Sequence, residues 1–259
     1  MEKRIYQLLK QSGAITSNEE AQALLDAERV KVNGVSVHSL KYKVNTKFQQ
    51  VTVDNKPIYP VEQSLYILLN KPRGYSCQPH EKKTYVLDLI HIEERLKKTL
   101  FLVGRLDHDT EGALLITNDG KLAHHMLTQK IQKTYEALVK GEVLPEEIEK
   151  LQRGVVIPVE IERRLSKYRT KPAKVKVLQK KAGTTLLEII VTEGKKRQIR
   201  KMCDAVGHKV LALTRTMIGT IALGGLEQGE YRFLKKSEIE CFGKYSKSIN
   251  FWNILIWIC

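Results

Sequence analysis

Short apolar segments of strand length, separated by turn residues, dominate the chain from residue 65 onward. The segments predicted as strands are 65–69, 100–103, 113–117, 135–140, 173–178, 185–192, 210–215 and 230–234. The segments predicted as helices are 121–128, 145–153 and 197–206. Because strands outnumber helices and many connections have hairpin length, this pattern predicts an α+β domain built on a mixed, mostly antiparallel sheet.

The beginning of the chain has a different pattern, in which two short helices precede a hairpin. A helix over 1–12 is expected to end at Gly13, because glycine is the usual residue after a helix. Ser17 or Asn18 is expected to cap the second helix. Valines on both sides of Asn33-Gly34 predict a tight hairpin. Together these elements predict a small α/β unit ahead of the larger domain.

Composition divides the chain into four parts. Residues 57–64 contain two prolines and no periodicity, which is typical of a linker. The predicted domains are therefore 1–56 and 65–242. The last part, 243–259, contains an apolar run that is too short to cross a bilayer as a helix, which needs about 20 residues. The role of this tail stays open.

The chain is strongly basic, with a formal net charge of +15 and a pI of about 9.6. Such a surface attracts polyanions because each phosphate contact releases condensed counterions, and it is typical of nucleic-acid binding. A solvated basic surface without a partner is the alternative. The four cysteines form no CxxC pair, which indicates free thiols in a reducing compartment. The first residues lack the apolar core of a signal peptide, so we expect a cytoplasmic protein without a membrane role.

Three polar segments could carry chemistry. Residues 104–112 place charged groups between two predicted buried strands, where loops usually display reactive side chains; a charged hairpin loop is the alternative. Residues 193–201 carry five cations at the start of a predicted helix, an arrangement that favours phosphate, although most charge runs are solvated faces. The third segment is Lys133-Thr134-Tyr135, and a lone tyrosine at a strand start is more often part of a core.

Taken in order, these segments resemble the motifs of a known enzyme family. The matching segments are 69–74, 104–115, 133–135, 193–202 and 205–208. They resemble the pseudouridine synthases that modify single sites in small- or large-subunit ribosomal RNA. Residues 1–56 resemble the S4 RNA-binding domain that usually precedes that catalytic domain, with Asn18 where the S4 pattern usually has arginine. The resemblance covers about residues 2–240.

The resemblance implies a role for each residue of the site. Asp107 would be the nucleophile that helps to break the uridine glycosidic bond, and Arg200 would pair with its carboxylate. Tyr135 would stack on the target base, which has to leave its own stack to be reached. Arg105 would hold the space left by the extruded nucleotide, and Leu213 would form an apolar floor under the ring.

The remaining candidates are cations expected to contact RNA. In the catalytic domain and in the S4-like segment they are Lys71, Arg73, Lys195, Lys196, Arg197, Lys201, Lys3, Arg4 and Lys31. No cofactor is expected, because isomerisation detaches uracil, rotates it and rejoins it through carbon without a net redox change. No metal is expected either, because His108, His124 and His125 lack a third ligand at a recognisable spacing.

The implied substrate is a specific uridine of ribosomal RNA, and the look of residues 195–202 favours the large subunit. The resemblance also implies a monomer. Two alternatives stay open. A non-catalytic protein that binds ribosomal RNA would give no product, and a glycosylase would release free uracil and leave an abasic site.

Overall fold

The computed structural model describes residues 2–80, 84–161 and 164–242, so the predicted tail 243–259 lies outside the described residues. Over the described residues the helices are α1 (Ile5–Ser12), α2 (Asn18–Asp26), α3 (Glu94–Thr99), α4 (Gly120–Thr128), α5 (Pro145–Arg153), α6 (Gln198–Asp204) and α7 (Lys236–Glu240). The first strands are β1 (Glu2–Arg4), β2 (Val30–Val32), β3 (Val35–Ser36), β4 (Lys43–Asn45), β5 (Val51–Val53) and β6 (Lys56–Pro57). The later strands are β7 (Tyr66–Lys71), β8 (Phe101–Val103), β9 (Glu111–Thr117), β10 (Lys133–Lys140), β11 (Val156–Ile161), β12 (Arg164–Arg169), β13 (Lys174–Lys181), β14 (Thr184–Val191), β15 (Val210–Ile218), β16 (Ile221–Ala222) and β17 (Tyr231–Phe233). None of the helices in the described ranges is long and apolar enough to cross a membrane.

The N-terminal part combines α1 and α2 with a sheet of order β3-β2-β5-β6. Ser17 caps α2, because its hydroxyl accepts a hydrogen bond from the Glu20 N–H at 3.1 Å. Gly13 follows α1 with a φ of +74°, as the sequence predicts. The predicted helix over 1–12 is wrong at its start, where Glu2–Arg4 pairs with β4 as a strand. The apolar face of the helix begins only at Ile5, so nothing favours a helix before that residue.

The hydrophobic core of the N-terminal part is separate from the cores of the rest of the chain. Its buried members run from Ile5 to Val51 and form one cluster. The other two clusters contain only residues from Leu65 to Phe242. The division into 1–56, 57–64 and 65–242 stays a prediction, and the last N-terminal strand, β6, ends at Pro57 inside the predicted linker.

The larger part is built on a sheet of nine strands among the described residues. The order is β13-β14-β10-β15-β9-β7-β17, with β8 on β9 and β16 on β15. The β9–β15 pair is parallel, whereas the other pairs of this sheet are antiparallel. The predicted α+β class with a mixed, mostly antiparallel sheet is therefore confirmed.

Both faces of the central strands are buried. In β7, Ile67 and Leu69 contribute to one core cluster, whereas Tyr66 and Leu68 contribute to the other. Side chains alternate between the two faces of a strand, so a continuous apolar run such as this one needs cover on both sides. A sheet that is covered on both faces gives its loops a rigid support.

The hairpin formed by β11 and β12 was absent from the sequence prediction. It pairs residues 156–161 with 164–169. It lies next to α6, and the Lys201 ammonium of α6 donates a 2.7 Å hydrogen bond to the Pro158 carbonyl of β11. Pro158 and the charged residues around the turn hide the strand alternation, because proline is normally disfavoured inside strands.

Candidate active site

The loop between β8 and β9, residues 104–110, is held in place by a buried lysine at the end of β7. Lys71 is 0% exposed, and its ammonium donates to the carbonyls of Thr110 at 2.9 Å and Pro72 at 3.0 Å. Burial lowers the pKa of Lys71, and nearby acidic groups including Asp107 and Asp109 oppose that shift. The prediction that Lys71 contacts RNA is wrong, because its charge is used inside the protein to support the loop.

Two arginines of the segment 193–201 hold Asp109 of the same loop. Arg197 donates to both carboxylate oxygens at 3.1 Å. Arg200 donates to the Asp109 carbonyl at 2.9 Å, and its Nη2 lies 3.3 Å from Asp109 Oδ2. Burial alone would raise the pKa of Asp109, but the Arg197 hydrogen bonds and the Arg200 charge outweigh it, so the pKa lies below its ordinary value. The expected ion pair of Arg200 with Asp107 is wrong in this structure, because Asp109 takes that position.

Asp107 itself stays free of direct partners. Its side chain is half-buried and lines a cavity, and its carboxylate forms no ion pair or hydrogen bond within the described part of the chain. Lys71, Arg197 and Arg200 are nevertheless close enough to interact with its charge. The carboxylate is thus surrounded by positive charge while its oxygens remain available to a bound molecule.

The cavity beside Asp107 has a volume of about 680 Å³, which is in the range of pockets that hold small organic ligands. Its floor comes from two neighbouring strands. Tyr135 of β10 pairs directly with Arg215 of β15, and Leu213 lies two residues before Arg215, so all three side chains share one face of the sheet. Tyr135 is 9% exposed and Leu213 is 5% exposed. This floor offers an aromatic ring and an aliphatic side chain to a flat ligand.

The rim of the cavity is basic. Arg105, Lys195, Lys196 and Arg197 are exposed and line it. Lys196 has Glu160 at 3.8 Å, but an exposed pair of this kind contributes little to stability and leaves the charge accessible. These four cations therefore lie at the entrance to the cavity, and their contact with RNA stays a prediction.

The other predicted RNA-binding residues lie outside the cavity lining. Arg73 is exposed and close enough to Arg200 for their charges to interact, whereas the Lys201 ammonium is bound to the Pro158 carbonyl. In the N-terminal part Arg4 is exposed. Lys3 donates to Gln11 at 2.6 Å and Lys31 to Asn55 at 3.1 Å. Both partners are neutral amides, so these lysines keep their charge for a polyanion.

Sequence reasoning missed three residues of the site. Asp109 was read as part of a motif without a role, and neither Arg215 nor Lys133 was assigned one. Strand alternation from Leu213 and Tyr135 would have placed the two cations on the cavity face. Among the described residues, no group of three or more histidine, cysteine, aspartate or glutamate side chains is arranged to hold a metal ion.

The class of protein that this fold and cavity belong to is identified by comparison with known proteins. The family model described as "RNA pseudouridylate synthase" matches residues 65–205. The chain therefore belongs to the RNA pseudouridylate synthase family, whose members isomerise uridine to pseudouridine. The resemblance found in the sequence is confirmed at the level of this family.

Particular relatives match almost the whole chain. An uncharacterised RNA pseudouridine synthase of Aquifex aeolicus is 39% identical over 248 residues, which cover 92% of this chain and 93% of the relative. The ribosomal large subunit pseudouridine synthase B of Bacillus subtilis is 35% identical over 243 residues, covering 92% and 94%. A crystal structure of a pseudouridylate synthase superposes with a TM-score of 0.65 at 27% identity, covering 93% of this chain and 99% of that one.

Proposed function

We propose that this protein converts one specific uridine of ribosomal RNA to pseudouridine, with Asp107 as the nucleophile. The observation that carries the proposal is the free, half-buried Asp107 carboxylate, which faces a cavity with Tyr135 and Leu213 in its floor. A carboxylate without protein partners in such a place is available to a substrate. Lys71, Arg197 and Arg200 lie close enough to interact with its charge, and an ionised carboxylate is the form that acts as a nucleophile.

The cavity fits an extruded base. Extruding a nucleotide costs on the order of a few kcal/mol, and stacking on an aromatic side chain returns about 1–3 kcal/mol. Tyr135 supplies that stacking surface and Leu213 an apolar floor, while Arg105 at the rim takes the space left in the RNA. Phosphate contacts from Lys195, Lys196 and Arg197 offset the rest of the cost.

The reaction rearranges the atoms of one nucleotide. The bond from the sugar C1′ to uracil N1 breaks, the ring turns, and a new bond joins C1′ to uracil C5. The C5 proton is then lost and N1 gains one, so the product is an isomer of the substrate. Both an adduct of the carboxylate at C1′ and a glycal formed by loss of the C2′ proton require Asp107 beside the sugar. We propose that the Tyr135 hydroxyl, which has no protein partner among the described residues, relays that proton.

Ribosomal RNA of the large subunit is the substrate that we propose. A relative named for the large subunit is 35% identical over most of the chain, and the net charge of +15 favours a long polyanion. We assign residues 1–56 to an S4-like RNA-binding module whose contacts include Lys3, Arg4 and Lys31. We also place the protein in the cytoplasm as a monomer.

The proposal is tested with the purified full-length chain and ribosomal RNA from cells that lack its gene. Pseudouridine at every position is mapped before and after incubation, and the supernatant is assayed for free uracil. We expect one new pseudouridine in large-subunit RNA and no uracil. Binding without pseudouridine would instead identify a non-catalytic RNA-binding protein, and free uracil with an abasic site would identify a glycosylase.

A further inference from the structure

A buried arginine that the proposed chemistry does not use lies in the floor of the cavity. Arg215 is 4% exposed and occupies the middle of the sheet, between Tyr135 of β10 and Gly112 of β9. Its Nε donates to the Ala113 carbonyl at 2.7 Å. Its Nη2 is buried without a hydrogen-bond partner, although the residue lines the cavity. Burying a polar group without a partner is costly, so this guanidinium is incompletely satisfied in the free protein.

A second cation lies on the same face of the sheet. Lys133 is two residues before Tyr135 on β10 and also lines the cavity. Its ammonium donates to the Ile131 carbonyl at 3.1 Å. Burial lowers the pKa of Lys133, and the nearby Arg215 charge lowers it further. Within residues 2–80, 84–161 and 164–242, no carboxylate forms an ion pair with either cation. Two like charges therefore share one wall of the cavity without a counter-ion.

The backbone of Arg215 is held rigidly. Gly112 lies opposite it in the parallel β9–β15 pair, and a Cβ on Gly112 would come within 2.2 Å of the Arg215 carbonyl oxygen. The strands can approach this closely only because residue 112 is glycine. An arginine on such a fixed strand presents its donors in one orientation, as a binding site for a fixed ligand group requires.

We propose that Arg215 and Lys133 form a phosphate-binding subsite that holds the phosphodiester of the extruded nucleotide while its base lies on Tyr135. This inference rests on the proposed function. Arginine and lysine are the side chains that bind phosphate best, arginine through its planar fork and lysine as a point charge. A phosphodiester carries one negative charge that attracts both cations and offsets their mutual repulsion, whereas a neutral uracil carbonyl would leave that repulsion in place. The subsite thus fixes the sugar of the nucleotide between its base and its phosphate, next to Asp107.

The test is the salt dependence of RNA binding. The probe is a fluorescent RNA hairpin that contains the uridine modified by the wild-type protein, and binding is measured over a series of salt concentrations. Loss of one phosphate contact lowers the slope of log K against log salt by about 0.7 for single-stranded RNA. For Arg215→Gln we expect that change in slope and about tenfold weaker binding. Arg215→Lys should keep most of the wild-type slope.

Two further variants make the result decisive. Arg153→Gln removes an exposed arginine of α5 whose partner is Glu149, and it should leave the slope unchanged. Lys133→Gln removes the other cation of the subsite, on the neighbouring strand. The change in its salt slope tests the proposal if Arg215→Gln does not fold. Weaker binding with an unchanged slope would indicate a carbonyl contact and overturn the proposal, as would unchanged binding. Absence of any pseudouridine with the wild-type protein would instead refute the proposed function.

Discussion

Two aspartates of one loop lie in contrasting surroundings. Asp109 has its carboxylate and carbonyl bound by Arg197 and Arg200, whereas the Asp107 carboxylate faces the cavity without a partner among the described residues. When two carboxylates differ in this way, their environments assign them different roles. We infer that Asp109 positions the loop and that Asp107 carries out the chemistry.

Replacement of Asp109 by asparagine tests the positioning role. The variant leaves Arg197 and the largely buried Arg200 without their counter-charge. We therefore expect the free energy of unfolding to fall by about 1–3 kcal/mol. This loss is smaller than for a fully buried ion pair because the Asp109 side chain is 29% exposed. The turnover rate should fall more than RNA affinity. Chemical denaturation and single-turnover kinetics measure these effects. The matched control is Glu149→Gln, which breaks an exposed ion pair with Arg153 and should lower the free energy of unfolding by less than about 1 kcal/mol. Equal losses of stability in both variants would contradict a positioning role for Asp109.

Tyr135→Phe separates stacking from proton transfer. The ring and its position in the cavity floor are kept, so RNA affinity should stay within about threefold of wild type. Turnover should fall at least about tenfold, because general acid–base groups typically contribute about a hundredfold or more. Single-turnover assays at saturating RNA provide the measurement. A variant with the wild-type rate would show that the hydroxyl takes no part.

At the scale of elements, the parallel contact between β9 and β15 brings the loop and the cavity floor together. Gly112 makes this contact possible. Its φ is +106°, and an added Cβ would meet backbone atoms of Arg215 at 2.2, 2.7 and 2.9 Å. The next residues of β9 are fully buried, so the strands have no room to move apart. The geometry of the site therefore depends on a pairing between distant parts of the chain.

Gly112→Ala should accordingly be much more damaging than an alanine at another glycine with positive φ. We expect at least about 3 kcal/mol of destabilisation, combining backbone strain with the clash. Gly183→Ala is the matched control: its φ is +73°, but a Cβ there would meet nothing within 4 Å. That variant should lose only about 1–2 kcal/mol. Thermal or chemical unfolding measures both, and similar losses would show that the clash with Arg215 is unimportant.

The elements that local sequence defines were predictable, and those that depend on distant partners were not. Pro145 opens α5 and Ser17 caps α2 where the sequence places them. Strand β1 was missed because its only support is pairing with β4, some forty residues away. Lys71 was misassigned for the same reason: its sequence neighbours suggest an RNA contact, and only the tertiary structure shows that its ammonium is enclosed by loop carbonyls.

The site was predictable where a family motif names the residue and not where a role depends on geometry. Asp107, Tyr135 and Leu213 line one cavity, and the first two lie in segments that match the family motifs. The partner of Arg200 could not be predicted, because Asp107 and Asp109 are both acidic and only two residues apart. Arg215 carries no local signal beyond its alternation with Leu213.

At the scale of the whole molecule, the two parts of the chain touch through α1 and α3. Arg95 donates to the carbonyls of Ser12 at 3.4 Å and Tyr59 at 3.2 Å, and Lys10 donates to the Lys98 carbonyl at 2.9 Å. A Cβ on Gly13 would lie 2.6 Å from the Arg95 carbonyl oxygen, so glycine allows this close approach. The contact joins the N-terminal part to the catalytic part.

The proposed role of the Asp107 carboxylate in the conversion of a single ribosomal uridine is tested most directly in cells that lack the gene. Pseudouridine is mapped across all ribosomal RNA after complementation with the wild-type gene or with the Asp107→Asn gene at equal protein levels. We expect the wild type to restore one position in large-subunit RNA and the asparagine variant, which has nearly the same shape without the charge, to restore none. Restoration of that position by Asp107→Asn would contradict the account.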